Sequence, residues 1–536
     1  TLYLAGCTNM NIESVKSIRY IYNQIKISSK SIDNKYVQYL DTEDTKNLAS
    51  NNLSDSDIYD KLANMVEIEK LNLNDNKSLA NTDFYSLSSE LQSKIIERLG
   101  NNENSKTNDA YFRYILSTLT NMKNLTIRNI SNLKSIDFVR YMPNLVELDL
   151  IGTGVTDLSI LEELKNSTGD NTLSKLSILI IDNSNIDLTK IQNTISSLYD
   201  KSASAYWSYT GDKNYSGLRI GNSELLTKEN TSLGYCNKIT KLKLSFVNDS
   251  ITANYFDLSK MTSLKIYSGI YATSVVKLPA SVEKCYQTHC NFPIFESSVN
   301  NPSQLVVFDN DNSGETTQNA LNKMFESLAT CQTSKEIWLD IHSVYNVQNF
   351  DGLEKMQNCK FSKIYLNPWY AKIENLDVFS KFEESATGYI KILQISGSRK
   401  NSDNYSKTII SELPDLSNLK VNSLYIRNCG VSDFKGVTEN KNISLLNLEN
   451  NNIQNLENLL NMKQLEKISF AGNNIYNTYN DAINNRKVNN LEILKRISDN
   501  SGNGYNVSYV DMQNNYLEEN DEYINMRKMY DDSCKW

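Results

Sequence analysis

The chain has 536 residues, 40% of them apolar, and a formal net charge of −8. Acidity spread over that length, with no basic block, argues against nucleic acid as a partner, and no apolar run approaches the roughly 20 residues of a membrane-spanning helix. Six prolines and 19 glycines are too few for a linker-rich or collagen-like chain, and the eight cysteines supply no CxxC framework for a disulfide-stapled fold.

Short apolar-x-apolar strings recur from the first residues. Leu2-Tyr-Leu4 is followed by Cys7, so the chain is expected to begin inside a repeat, as a piece of something longer. Asp33–Leu40 and Asp57–Met65 read as short helices or turns on the outer side. Leu71-Asn-Leu73 with Asn76 is the next string. Residues 80–120 are expected to form a helical insertion, because Ser88–Leu99 and Ala110–Leu119 carry apolar residues at helical spacing on either side of the polar Gly100–Asp109. Strings resume at Leu125-Thr-Ile127 and Leu148-Asp-Leu150, then Leu179-Ile-Ile181. A helix is expected over Asp187–Tyr199, a polar loop around Tyr206-Trp207-Ser-Tyr209, and strands at Leu218-Arg-Ile220 and Leu242-Lys-Leu244.

The centre is less regular. Val276–Cys285 contains a Leu-Pro-Ala-Ser-Val turn, Leu305–Phe308 reads as a strand, and Thr316–Leu328 as a helix with Ala320, Leu321, Phe325 and Leu328 on one face. Ile337-Trp-Leu339, Ile364-Tyr-Leu366, Leu393-Gln-Ile395 and Leu424-Tyr-Ile426 then recur at intervals of 27, 29 and 31 residues, with a loop over Gly397–Lys407. The clearest strings come next: Leu424, Leu446 and Ile468 are separated by 22 residues each time, in the frame apolar-x-apolar-x-x-Asn/Cys-x-apolar. Tyr479–Ile497 reads as an Asn-rich helix, Val510-Asp-Met512 with Asn515 restores the frame, and 516–536 reads as a capping segment.

Each frame position has a task. Leu446 and Leu448 are two apart on a short strand, so they enter the core together, while Asn447 and Glu449 point the other way, to solvent. Asn451 sits where the chain turns; its amide can hydrogen-bond backbone groups of neighbouring turns that would otherwise be buried unpaired. Cys429 and Cys7 occupy that same position, with Thr153 there in another repeat. One unit cannot bury its apolar side alone, so units stack.

Signals for chemistry are sparse. The two histidines, His289 and His342, are far apart, and the phosphate-binding and hydrolase strings are missing. Asp309–Glu315 opens like a calcium loop, but the twelfth position is Ala320, which cannot ligate. Cys285 and Cys290 are five apart, which leaves unrelated thiols, a local disulfide or a metal site open. No metal site, cofactor or catalytic residue is assigned. The candidate binding residues are the outward strand positions Trp338 and Asp340, Tyr365 and Asn367, Tyr425 and Arg427, and Asn447 and Glu449. Aromatics mixed with charges there have the composition of protein-binding surfaces, with loops such as Tyr206–Tyr209 as rivals.

The Leu-x-Leu-x-x-Asn-x-Ile frames at Leu446 and Ile468, with the Gly-Val-x-Asp-Leu/Phe ends at Gly154–Leu158 and Gly430–Phe434, resemble the internalin-like and SDS22-like leucine-rich repeats. The resemblance implies one irregular α/β solenoid over 1–536: a horseshoe with a parallel sheet on its concave side, and helices, loops and insertions on the convex side. It further implies non-enzymatic recognition of a protein or glycan on the concave face or flanking loops, in an extracellular or cell-surface bacterial setting such as an adhesin or host-interaction module. Two alternatives stay open: an intracellular SDS22-like scaffold or regulatory subunit, and the recognition part of a larger protein whose catalytic domain lies elsewhere.

Overall fold

The structure is a computed structural model that describes residues 45–62, 68–167, 173–199, 216–247, 255–270, 275–288, 291–296, 304–309, 318–330, 336–342, 347–367, 373, 375–397 and 410–536. Expectations for Leu2–Leu4, Cys7, Asp33–Leu40, Tyr206–Tyr209, His289, Cys290, 310–315 and 398–407 lie outside the described residues. The chain forms two compact units, Thr1–Tyr267 and Ser268–Trp536.

In the first unit seven strands run parallel, each beside the next in sequence: β1 (Thr45–Asn47), β2 (Lys70–Asn72), β3 (Asn124–Thr126), β4 (Glu147–Asp149), β5 (Ile178–Ile181), β6 (Gly217–Ile220) and β7 (Lys241–Phe246). Most of these strands are short because each needs only to place one apolar pair inward. Leu71 with Leu73, Leu125 with Ile127 and Leu148 with Leu150 are at most 2% exposed. Between strands the chain returns through helices, including Ser89–Leu99, Ala110–Ser117 and Ser159–Asn166. Arg113 of the second helix is fully buried, 3.1 Å from Asp109 and in contact with Asp137. It ties the helical stretch to the repeat that follows, because a buried guanidinium is tolerated only when paired. β8 (Tyr255–Asp257) and β9 (Ile266–Ile270) follow.

The second unit contains β10 (Val275–Leu278), β11 (Lys284–Thr288), β12 (Ile294–Phe295), β13 (Gln304–Asp309), β14 (Ile337–His342), β15 (Lys360–Asn367), β16 (Tyr389–Ser396), β17 (Val421–Arg427), β18 (Leu445–Asn447), β19 (Lys467–Ser469), β20 (Thr478–Asp481), β21 (Arg486–Asn489) and β22 (Tyr509–Asp511). Its sheet runs in parallel from β11 through β13 to β19 and ends on β22. The backs of the longer repeats carry the helices Gln318–Ala329 and Asn490–Ile497, and the shorter ones carry single tight turns such as Glu457–Asn461. After the helix Asp521–Arg527 the chain returns to β22, where Lys535 N–H donates to Val510 O and Met512 N–H to Lys535 O.

What locks one repeat to the next is the buried asparagine. Asn451 Nδ2 donates to Ile426 O at 2.7 Å in the preceding turn and to Leu448 O at 2.9 Å in its own. Its Oδ1 accepts from the N–H groups of Cys429 and Val431. Asn473 and Asn515 repeat this bridging one and two turns on, and Asn76 does so in the first unit. Each is a four-handed side chain whose donors and acceptor reach backbone that bends away from the sheet. The residue just before the ladder position takes a left-handed backbone: Asp75, Asn450 and Asn514, and Gly472 at φ +69°. Only Gly, Asn and Asp visit that region cheaply, and a Cβ on Gly472 would also run into Asn450 Oδ1. Cys429 holds the same place with a thiol that reaches Arg427 O and meets the backbone of Gly397.

The leucine-rich-repeat fold expected from the strings is therefore present, an α/β architecture of stacked parallel strands with helices and loops behind. Two phases differ from the string reading. Leu339, not Ile337, pairs with Ile364, and Leu244, not Leu242, pairs with Leu218. Both strands are six residues long and alternate throughout, so each offers two equivalent apolar pairs, and only the neighbouring strand decides between them. The helix expected over Tyr479–Ile497 is instead the antiparallel hairpin β20–β21 followed by a helix over Asn490–Ile497. Asp481 closes the hairpin by accepting from the N–H groups of Ile483 and Asn484 and from Arg486 Nε, with Asn485 left-handed. Asn489 then caps the helix by accepting from Glu492 N–H.

Asn451→Ala should lower the unfolding free energy by at least about 2–4 kcal/mol, since several buried backbone groups lose their partner at once. Asn452→Ala, one residue on and exposed, should stay within about 0.5 kcal/mol of the parent in the same denaturant titration. Leu446→Ala should cost roughly 2–5 kcal/mol, as truncated buried leucines do.

Candidate functional site

The outward side of the second unit's sheet is set by register. Asp340, Tyr365, Gln394, Tyr425, Asn447 and Ser469 lie level on six consecutive strands. Strands about 4.8 Å apart bring such side chains into direct contact. The eight candidate residues consequently differ in accessibility. Trp338, Tyr365, Tyr425, Arg427 and Glu449 are half-buried, whereas Asp340 (4% exposed), Asn367 (5%) and Asn447 (4%) lie beneath their neighbours.

Toward β18 the face is a closed polar network. Arg427 Nε donates to Asn447 Oδ1 at 3.0 Å and lies 3.4 Å from Glu449 Oε2. Glu449 Oε1 accepts from Asn447 Nδ2 at 2.8 Å and from Ser469 Oγ at 2.7 Å. The Arg427 guanidinium also sits 4.9 Å from the Tyr425 ring centroid, a cation–π contact that fixes both side chains. Burial pushes the Tyr425 phenol above its ordinary value near 10, with Arg427 pulling the other way.

Toward β14 the face is aromatic. Trp338 and Tyr365 meet edge to face, with centroids 6.4 Å apart at 80°. The Lys363 ammonium stands 4.7 Å from the Trp338 ring and 5.7 Å from the Tyr365 ring. The string reading missed Lys363 because it precedes the first apolar residue of Ile364-Tyr-Leu366. The strand starts earlier, at Lys360, and sets Lys363 level with Trp338. A second aromatic feature, also not singled out from sequence, is Tyr476 stacked on Tyr516 at 4.8 Å and 10°, about half exposed beyond the strands.

The described residues contain no group of three His, Cys, Asp or Glu side chains able to hold a metal ion, and no helix long and apolar enough to cross a membrane. Cys285 and Cys429 are buried and outside any disulfide, and burial pushes the Cys429 thiol up to about 12, which makes it a poor nucleophile. The arrangement offers apolar surface, ring faces and fixed charges. That is equipment for binding.

No family model matches the chain, and no curated protein does. Among solved structures, an internalin (inlF) from Listeria monocytogenes is similar at 15% identity, covering 85% of this chain and 98% of its own, with a TM-score of 0.28. A leucine-rich-repeat protein of Leptospira interrogans is similar at 12% identity, over 94% and 92%, with a TM-score of 0.30. A plant peptide hormone receptor, RGFR1, solved with RGF2, is similar at 13% identity over 88% and 63%, with a TM-score of 0.26.

The Tyr425 phenol should ionise above pH 10 in the folded chain, read as the tyrosinate absorbance lost on Tyr425→Phe. Arg427→Met should move that ionisation further up, because the guanidinium is what favours the phenolate. An unshifted titration would place Arg427 away from the ring in solution.

Proposed function

We propose that the chain is a non-enzymatic recognition module that binds a protein through the outward face of β14–β18. Trp338, Lys363 and Tyr365 form the apolar anchor, and Arg427 with Glu449 forms the polar flank. The observation that carries this reading is the Trp338–Tyr365 pair with Lys363 against both rings. Large aromatic side chains fixed by their neighbours lose little conformational freedom on binding, and aromatic and Arg side chains dominate the energetics of protein interfaces. Asp340, Asn367 and Asn447 lie under that surface, and their part is to hold it in shape. The internalin-like frames favour a bacterial cell-surface or secreted setting, as an adhesin or host-interaction module. Fractionation of the source cells tests this directly: recovery in the cytosol alone would favour the scaffold reading instead.

Trp338→Ala and Tyr365→Ala should each weaken binding of the partner by at least about tenfold, as loss of an interface anchor does, with little change in unfolding midpoint. The measurement is affinity by surface plasmon resonance against a partner captured from host or bacterial lysate. Unchanged affinity in both variants would move the site to the loops.

A further inference from the structure

The outward face of the first unit leaves donors unpaired where the β17–β18 network pairs them. Arg219 on β6 and Ser245 on β7 are cross-strand partners, so their side chains stand roughly 5 Å apart at the base. Arg219 Nε is sealed from solvent without an acceptor. The Ser245 hydroxyl, in a residue only 4% exposed, is likewise without a partner. Lys243, two residues earlier on β7 and 6% exposed, lies on the same face, with its ammonium donating to Ser216 Oγ at 3.0 Å. Gly217 lets β7 lie this close to β6, since a Cβ there would come within 2.5 Å of Lys243 O and 2.9 Å of Lys243 Cβ.

The acids on the same two rows are engaged elsewhere. Asp149 and Glu147 stand two strands away, across Ile180 and Ile178. Asp149 pairs with Arg128 at 2.6 Å, and Glu147 accepts from Asn124 Nδ2 at 2.8 Å. Asp182 accepts from Gly152 N–H at 2.9 Å. Among the described residues no carboxylate forms an ion pair with Arg219. Buried donors without acceptors are rare in folded proteins, and each costs stability. Two such donors side by side on one face call for a reason, and a binding site is one.

We infer that Arg219 and Ser245 form a binding site for an oxyanion, a carboxylate or phosphate group borne by a ligand. The guanidinium supplies a planar fork matched to two oxygens and the serine a hydroxyl donor. The buried side chains of Ile178 and Ile180 flank the site with low-dielectric surface, which strengthens each charge-assisted hydrogen bond.

Thermal unfolding of the full chain in chloride, acetate and inorganic phosphate at matched ionic strength tests the site. Acetate or phosphate should raise the midpoint by about 1 °C or more over chloride, and whichever of the two does so identifies the class of oxyanion. The rise should vanish in Arg219→Met and in Ser245→Ala, which separates site binding from the general stabilising effect of phosphate on folded proteins. In chloride, Arg219→Met should unfold at a higher temperature than the parent, because an unpaired cation has been removed. If that variant fails to fold, Ser245→Ala decides alone. No rise over chloride, or an equal rise in the parent and the variants, would overturn the site. A lowered chloride midpoint in Arg219→Met would also overturn it, by making Arg219 a structural residue.

Discussion

Every turn of a stacked-strand chain leaves the sheet through backbone that is buried and no longer bonded to the sheet. Those N–H and C=O groups need partners, and a side chain with two donors and an acceptor is the compact way to supply them. Asn451, Asn473 and Asn515 do so in succession, each joining its own turn to the one before. The apolar pairs beneath, such as Leu446 with Leu448, supply most of the burial. They are non-directional and would tolerate slippage. The amide ladder fixes the phase. Where it lapses, as at Thr153, whose hydroxyl reaches its own turn at Leu150 O, Asn183 Nδ2 of the next repeat reaches back to Val155 O at 3.0 Å and the Arg128–Asp149 ion pair adds a tie to the repeat before.

The same phase lock shapes the outward face. Parallel strands in register place equivalent side chains in rows one strand apart, so a polar residue there faces its neighbours as much as solvent. Two outcomes follow in the second unit. Short side chains such as Asn447 drop below the surface and become hydrogen-bonding supports for Arg427 and Glu449. Large ones such as Trp338 and Tyr365 remain half-open and stiff. A recognition surface of this kind is pre-ordered by the fold, which reduces the entropy lost when a partner docks.

The repeat was legible because its demands are local. Leu446-Asn-Leu448 and Asn451 read as one unit, whereas the left-handed backbone just before the ladder, at Asn450, Asp75 and Gly472, emerged only from the structure. Phase was not legible in Ile337–His342 or Lys241–Phe246, where alternation continues for six residues and either apolar pair fits inward. Lys363 was invisible for the same reason: its role comes from the strand beside it and not from its own string. The hairpin at Thr478–Asn489 was hidden by Asn-rich composition, which serves caps, turns and ladder positions alike. Solvent access at Asp340 and Asn447 could not be read at all, since it depends on rows of side chains far apart in sequence.

The β17–β19 and β6–β7 patches differ in one physical respect. On β17–β19 the charges close on one another: Arg427 meets Asn447 and Glu449, and Glu449 meets Ser469. On β6–β7 Arg219 and Ser245 meet across the same interstrand distance and leave donors open. The position before Arg219's neighbours explains why no acid intervenes. β5 presents Ile178 and Ile180 outward where β4 has Glu147 and Asp149, so the carboxylates of β4 are kept one apolar strand away. A row of isoleucines between a paired acid and an unpaired arginine prevents the chain from neutralising its own cation. The charge left over is then available only to something from outside the strand rows, and the ladder that fixes the register is what keeps it so.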